Sequence, residues 1–300
     1  MSFSKLITGL IVVGPLIGTV YAVYVSWGHF IGLTELALLI GMYIMVALGI
    51  TVGFHRYLTH GSFRTNWFLK VILTAVGAMA FEGSPISWVS NHRLHHAYAD
   101  REGDPHSPHL SRGSITGFIH AHFGWLFTDR KSDAAYWADD LVQDRTIVLV
   151  SRLTILWMII GLVIPYILGG WTGFIWGGVV RIFVTHHVTW SVNSVCHMFG
   201  SRPFNTKDQS TNFWLVGLLA LGEGGHNTHH ASPKSARHGL YWWHFDMSWI
   251  LIRTLEGIRL AHDVYVQETE SLRLGLVRHA SGVQVALRKS ITCSAVKPRE

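Results

Sequence analysis

Cysteine is nearly missing from this 300-residue chain. Cys196 and Cys293 are the two copies, and no C-x-x-C occurs. A disulfide scaffold and a cysteine zinc site are thereby excluded. Charge is scarce as well. Asp, Glu, Lys and Arg together make 14% of residues, against roughly a quarter in soluble domains. No linker rich in Ser, Gly or Pro divides the sequence, so one unit is expected over 1–300. The net charge of +6 is spread among loops and forms no basic tract. That argues against nucleic acid and suits anionic lipid headgroups or a phosphate-bearing substrate. What the chain does have is apolar bulk (49% hydrophobic), 13 tryptophans and 20 histidines, more histidines than its 18 acidic residues. This is the composition of an integral membrane protein.

Four apolar stretches are long enough to cross a hydrocarbon core of ~30 Å. They lie at about 6–25, 33–54, 147–168 and 171–192, the last two joined by a tight turn at Gly169-Gly170. The first lacks an A-x-A cleavage site and reads as an anchor, not a signal peptide. The run 67–88 contains Lys70, Glu82, Gly83 and Pro85 and is expected to dip in and return, while 213–221 is too short to span. Four crossings then put every histidine cluster on one face, in a cap made of 55–146 and 193–275. The inferred outer loops, 26–32 and Gly169-Gly170, hold no Lys or Arg. The positive-inside rule therefore makes the cap and both termini cytoplasmic. Arg181, deep in the fourth stretch, should face protein or a polar cavity. The tail 276–300 has weak periodicity and is expected to be poorly ordered.

Histidine carries the chemistry. NHRLHH places His92, His95 and His96 at i, i+3 and i+4, and HNTHH does the same for His226, His229 and His230. Both sets fall on one helix face. His55 and His60 are five apart and would splay on a regular helix unless it ends there. His197 follows the fourth stretch. Neutral imidazole is a common ligand for iron, copper, zinc and nickel. Eight or nine rings exceed one centre and suit two metals of four or five ligands each. The Glu-x-x-His motif of soluble di-iron bundles is absent. An all-imidazole pair at a membrane face points to dioxygen chemistry on a lipid-like substrate. Di-zinc hydrolysis fits the ligands but normally keeps a carboxylate base. The single histidines His29, His120, His122, His238, His244 and His262 read as structural. His186 and His187 suit a cavity wall and are not assigned to metal. Cys196 reads as a small buried neighbour of His197.

HRYLTH at 55–60, HRLHH at 92–96, NSVCH at 193–197 and HNTHH at 226–230 resemble the membrane fatty acyl desaturases. So do WVSNHRLHH, the following DPHSP, GWLF at 124–127, TWSVNSVCH and GEGGHNTHH. The likeness runs from about 30 to 265 and is nearest the Δ9 group of stearoyl-CoA desaturases and their acyl-lipid relatives. It implies an all-α membrane fold, with four transmembrane helices under a cytosolic helical cap, and a di-iron centre. The implied ligands are His55, His60, His92, His95, His96, His197, His226, His229 and His230, with Asn193 reaching one iron through water. It implies a bent acyl tunnel at Trp88, Thr189 and Trp190. Arg130-Lys131 falls, one residue out of register, near a basic pair that holds CoA phosphates. Two positions depart from the pattern. Asn91 stands where animal acyl-CoA enzymes carry an acid, and His186 and His187 stand where apolar residues are usual.

The reaction so implied is O2-dependent insertion of a cis double bond, Δ9 by likeness, into an acyl chain carried as acyl-CoA or membrane lipid. Asp104 and Glu223 are candidates to orient the imidazoles from behind. No cytochrome b5-like HPGG segment occurs, so electrons are expected from a separate ferredoxin or cytochrome b5 type donor. A membrane hydroxylase of fatty acyl or alkane substrates shares this chemistry. A non-enzymatic haem or metal-binding membrane protein is the alternative of another class.

Overall fold

In a computed structural model the protein is described over residues 3–28, 31–111, 113–129, 132–239, 241–268, 276–278 and 284–286. His29, Arg130 and Lys131 lie outside these residues. Among the described residues three helical runs are long and apolar enough to cross a membrane, Lys5–Val25, Leu33–Thr59 and Thr154–His197. Helices α1 (Phe3–Val25) and α2 (Leu33–Leu48) come first, and α2 continues as a π-helical segment, Gly49–Thr59. Helices α3 (Trp67–Ala78) and α4 (Pro85–Tyr98) form a hairpin against that segment. Short helices α5 (Ser114–His122), α6 (Ala134–Trp137), α7 (Asp139–Gln143) and α8 (Arg145–Arg152) follow. Then come α9 (Thr154–Gly173), a second π segment, Phe174–Val180, and α10 (Arg181–Ser194). Helices α11 (Trp214–Leu219), α12 (His226–Ala231) and α13 (Met247–Gly257) complete the helical part. Two small antiparallel pairs are the described strands. They are β1 (Arg64–Thr65) with β2 (Ala261–His262), and β3 (Leu276–Arg278) with β4 (Gln284–Ala286). The remainder of the tail, and with it the expectation of poor order, lies outside the described residues.

The third apolar run reverses at Gly170, whose φ of 59° and ψ of −148° break the helix. Glycine reaches that left-handed region without a Cβ clash. The expected start at 147 is displaced. Residues 145–152 form α8, an amphipathic helix with Ile147 and Val150 buried, and Leu153 separates it from α9. Asp144 starts α8 early, because its Oδ1 accepts from the amides of Thr146 and Ile147 at 2.9 and 3.2 Å. The second apolar stretch, expected to end at 54, runs on to Thr59.

Hydrophobic packing lies on both sides of the first π segment. Val52, Phe63, Leu73 and Ile252 fill one cluster, and Phe54, Leu58, Val89 and Ile147 another. The segment touches α3 backbone to backbone, since a Cβ on Gly49 would stand 2.3 Å from Gly77 N. Away from the bundle α1 and α9 expose Leu10, Ile17, Ile155 and Ile167, as a bilayer-facing surface requires.

Arg181 is fully buried and faces protein, as its position in the sequence required. Pro165 has no N–H, so the Gly161 carbonyl loses its helical partner. Arg181 Nη2 supplies one at 3.0 Å, and Nη1 donates at 2.9 Å to the carbonyl of Met79 just beyond the end of α3. Arg181→Met strands both carbonyls. It is expected to cost roughly 2–4 kcal/mol, read as a lowered thermal midpoint of the detergent-solubilised protein. An unchanged midpoint would show that these bonds are not needed.

Candidate metal centre

Helix α4 is started by Ser84, whose hydroxyl accepts from the amide of Ser87, and by Pro85 in the first turn. Its register is set by Arg93, which donates to the carbonyls of Leu58 (2.8 Å), Thr59 (3.2 Å) and Trp137 (3.2 Å). That clamp lays His92 and His96 against the end of the π segment. There the wider helical turn, bonding residues five apart, does what a regular helix could not. His60 N donates to His55 O at 3.2 Å, and the two rings come to 4.9 Å, edge to face. Helix α12 is held by Asn212, whose Oδ1 accepts from the amides of Asn227 and Thr228. His197 sits on the turn closing α10 and is buried.

The nine histidines gather in two groups whose ligand atoms lie within 4.8 Å of one another. His55, His60, His92, His96 and His229 form one, and His95, His197, His226 and His230 the other. Their Nε2 atoms converge. His55–His229, His92–His96 and His96–His229 stand 3.1, 3.1 and 3.0 Å apart in the first group, and His197–His226 3.0 Å in the second. Nitrogens at right angles about an ion, each ~2.1 Å from it, would be about 3 Å apart. Nε2 of His60, His95 and His230 is buried without any partner. Unpaired nitrogens pointed at each other inside a protein are costly unless a cation takes their lone pairs. Both groups are able to hold metal ions.

Behind the rings stand carboxylates. Nδ1 of His55 meets Glu223 at 2.8 Å, His95 meets Asp104 at 3.0 Å, His197 meets Asp100 at 2.8 Å and His230 meets Asp208 at 3.0 Å. These contacts turn Nε2 inward. Burial, and then the neighbouring imidazoles, hold His92, His96, His226 and His229 well below the ordinary histidine range. They are therefore neutral and ready to ligate. Burial alone would raise Asp104, but His95, His106 and the Asp100 amide together outweigh it and keep the carboxylate ionised.

A cavity of about 500 Å³ reaches this site, with Lys5, Asp129, Glu82, Trp190 and His92 among its walls. A smaller space of about 50 Å³ adjoins it, walled by Tyr43, Ala47, Val188 and Ala220. Trp88, His92, Thr189 and Asn193 line both. The larger volume falls in the usual ligand-pocket range.

The fatty acid desaturase family matches residues 29–256. The chain belongs to that family. It is similar to a hex-5-enoyl-[acyl-carrier protein] acetylenase of Moorena producens (strain JHB), 41% identical over 83% of this chain and 83% of the relative. It is similar to an sn-1 stearoyl-lipid 9-desaturase of Anabaena variabilis, 42% identical over 74% of this chain and 80% of the relative. An acyl-CoA C20 Delta5-desaturase of Anemone leveillei is 41% identical over 73% of this chain and 69% of the relative. The protein is thus a desaturase, an oxidoreductase of lipid metabolism.

In this desaturase the residues expected to line a tunnel, Trp88, Thr189 and Trp190, all stand on the cavity wall, as do Asn91, Asn193 and His186. His187 instead faces His122 at 3.0 Å. The headgroup pair Arg130-Lys131 lies outside the described residues. Single-residue reading missed two histidines. His238 is fully buried, with its ring 4.5 Å from His229 and Nδ1 3.3 Å from Glu223. His106 stacks on His95 at 4.4 Å and borders the cavity. Its place in DPH, two residues after Asp104, was the available signal. Asp100 and Asp208 gave none.

Glu82 is the unusual wall residue. Trp88 Nε1 donates to its Oε2 at 3.1 Å and the Thr189 hydroxyl also bonds it, but Oε1 is enclosed without a partner. Burial pushes this carboxyl up to about 7. An unfolded glutamate ionises near 4.5, so the folded desaturase holds the proton longer, and stability falls as pH rises between those values. Glu82→Gln keeps the acceptor without the titration. The wild type should lose roughly 2–3 kcal/mol relative to the variant between pH 4.5 and 7 and no more above that. Thermal unfolding across that window measures it, and parallel curves would refute it.

Proposed function

We propose that this desaturase inserts a cis double bond at position 9 of a saturated acyl chain carried as acyl-CoA or membrane lipid, using two iron ions and O2. What carries the reading is the meeting of the two inward-facing imidazole groups with an acyl-sized cavity at His92 and Asn193. His55, His60, His92, His96 and His229 would hold one iron, and His95, His197, His226 and His230 the other. Asn193, on the wall of both cavities, would reach an iron through water. Iron bound there supplies the O2 chemistry that unactivated C–H bonds demand and no side chain can.

The chain's own residues do the positioning. Trp88, Thr189 and Trp190 hold the acyl chain so that one C–C bond faces His92, a placement effect. Glu223, Asp104, Asp100 and Asp208 keep each ring's Nε2 turned toward the ions. The apolar walls of the smaller space, Ala47, Ile50, Val188 and Ala220 among them, keep bulk water from its end of the site. Likeness to relatives named for a lipid, a CoA ester and an acyl-carrier protein supports an acyl substrate on a carrier. The three apolar runs, with the reversal at Gly170, support four crossings. The lysine- and arginine-free loops support a centre and both termini on the cytoplasmic side. Electrons would come from a ferredoxin or cytochrome b5 type protein.

Expression in a host lacking unsaturated fatty acids, followed by mass spectrometry of its lipids, tests the reading. The expected product has lost two hydrogens, with the double bond at carbon 9, and a gain of one oxygen would make the protein a hydroxylase. His92→Ala and His229→Ala are each expected to abolish the product while the protein still inserts in membranes. Retained activity in either would remove that ring from the centre. Trp190→Ala should change the chain-length or positional profile of the products, and an unchanged profile would take Trp190 out of the tunnel.

A further inference from the structure

We infer that the two metal positions are unequal, the ion among His95, His197, His226 and His230 being held more tightly than the ion among His55, His60, His92, His96 and His229. The inference rests on the paired-metal reading above. By ring count the order should be the reverse, since the group with His55 has five imidazoles and the group with His95 has four.

What differs is the support behind the rings. In the four-ring group three imidazoles present Nδ1 to a carboxylate, His95 to Asp104, His197 to Asp100 and His230 to Asp208. In the five-ring group, among the described residues, His55 alone does so, to Glu223. That one carboxylate is shared. Its other oxygen takes the fully buried Arg56 guanidinium, and His238 Nδ1 stands 3.3 Å from the same Oε2. Asp100, Asp104 and Asp208 form no ion pair with lysine or arginine among the described residues. They are filled by neutral donors instead. Ser107 and the Gln209 amide bond Asp100, the amides of Asp100 and His106 bond Asp104, and Ser210 and Thr206 bond Asp208.

A carboxylate behind a ring fixes its orientation and makes the inner nitrogen a stronger donor. Losing such a partner typically costs 10–100-fold in metal affinity. Each carboxylate also leaves a negative charge close to a dication in a site that salt screens poorly. Three uncompensated charges act on one position. One carboxylate, which shares the Arg56 guanidinium with Asp246, acts on the other. Each group has one ring, His226 or His229, whose Nδ1 is buried and unpaired, so that feature does not separate them. The surplus of two carboxylate pairs outweighs one extra ring.

The test is removal of iron from the purified holoenzyme by a chelator, with iron per chain and the Mössbauer spectrum followed in time. Two phases of one ion each are expected, differing in rate at least about tenfold. Asp208→Asn and Asp100→Asn should each speed the slow phase about 10–100-fold and leave the fast phase alone. Glu223→Gln should speed the fast phase alone, and Asp208→Glu should restore the slow one. Ligand variants give an arm that does not depend on the carboxylates. His60→Ala should leave one slowly released ion, and His226→Ala one rapidly released ion. Equal rates for both ions, or the opposite outcome in the two ligand variants, would overturn the inference. Fully active protein with no more than one ion per chain would overturn the paired-centre reading itself.

Discussion

A guanidinium without access to solvent must find its acceptors inside the protein, and Arg56 finds four. They are the carbonyls of Thr51 and Ala236 and the carboxylates of Glu223 and Asp246. Arg56 follows His55 on the π segment, Glu223 precedes α12, and Asp246 caps α13 through the Trp249 amide. One buried cation thus ties together the parts of the chain that carry the first and last histidine clusters. Leaving a buried charge unpaired costs several kcal/mol, so the histidines cannot drift apart without exposing or orphaning Arg56. The centre's geometry is a by-product of satisfying this side chain.

Around that tie the site separates charge by position. Burial and mutual repulsion disfavour the protonated forms of His92, His96, His226 and His229, whose rings face inward. Carboxylates stand one layer out and are ionised, because the same imidazoles and a set of backbone amides stabilise the anion. The cavity wall breaks this pattern at Glu82, where burial favours the neutral form and the carboxyl keeps its proton toward neutrality. The Trp88 indole that bonds Glu82 also stacks on His92 at 4.9 Å. The wall and the metal site are therefore one packed unit.

Much of this was legible in the residues. The i, i+3, i+4 spacing of His92, His95 and His96 needed only a helix, and α4 is one. Arg181 in an apolar stretch had to face protein, and Pro165 explains which carbonyl it serves. Other parts were not legible because they depend on backbone form or on distant pairing. His55 and His60 share a face only on a π turn, which no local propensity announces. His238 looked like any solitary core histidine, and its proximity to Glu223 arises from tertiary packing. Asp100 and Asp208 occupy loops with no periodicity from which a direction could be read. The start of α9 was displaced because Asp144 caps a separate helix where hydropathy saw continuity.

The rings that meet at the centre come from far apart in the chain, His55 and His229 being 174 positions distant. Between them lie the α3–α4 hairpin and the whole reversal through Gly170. During synthesis the first histidines emerge well before their partners exist. Neither group can close until α9 and α10 are inserted and α12 has left the ribosome. A metal ion could accordingly be enclosed only late in this protein's biogenesis, and a chain truncated before α12 would lack His229 from one group and His226 and His230 from the other.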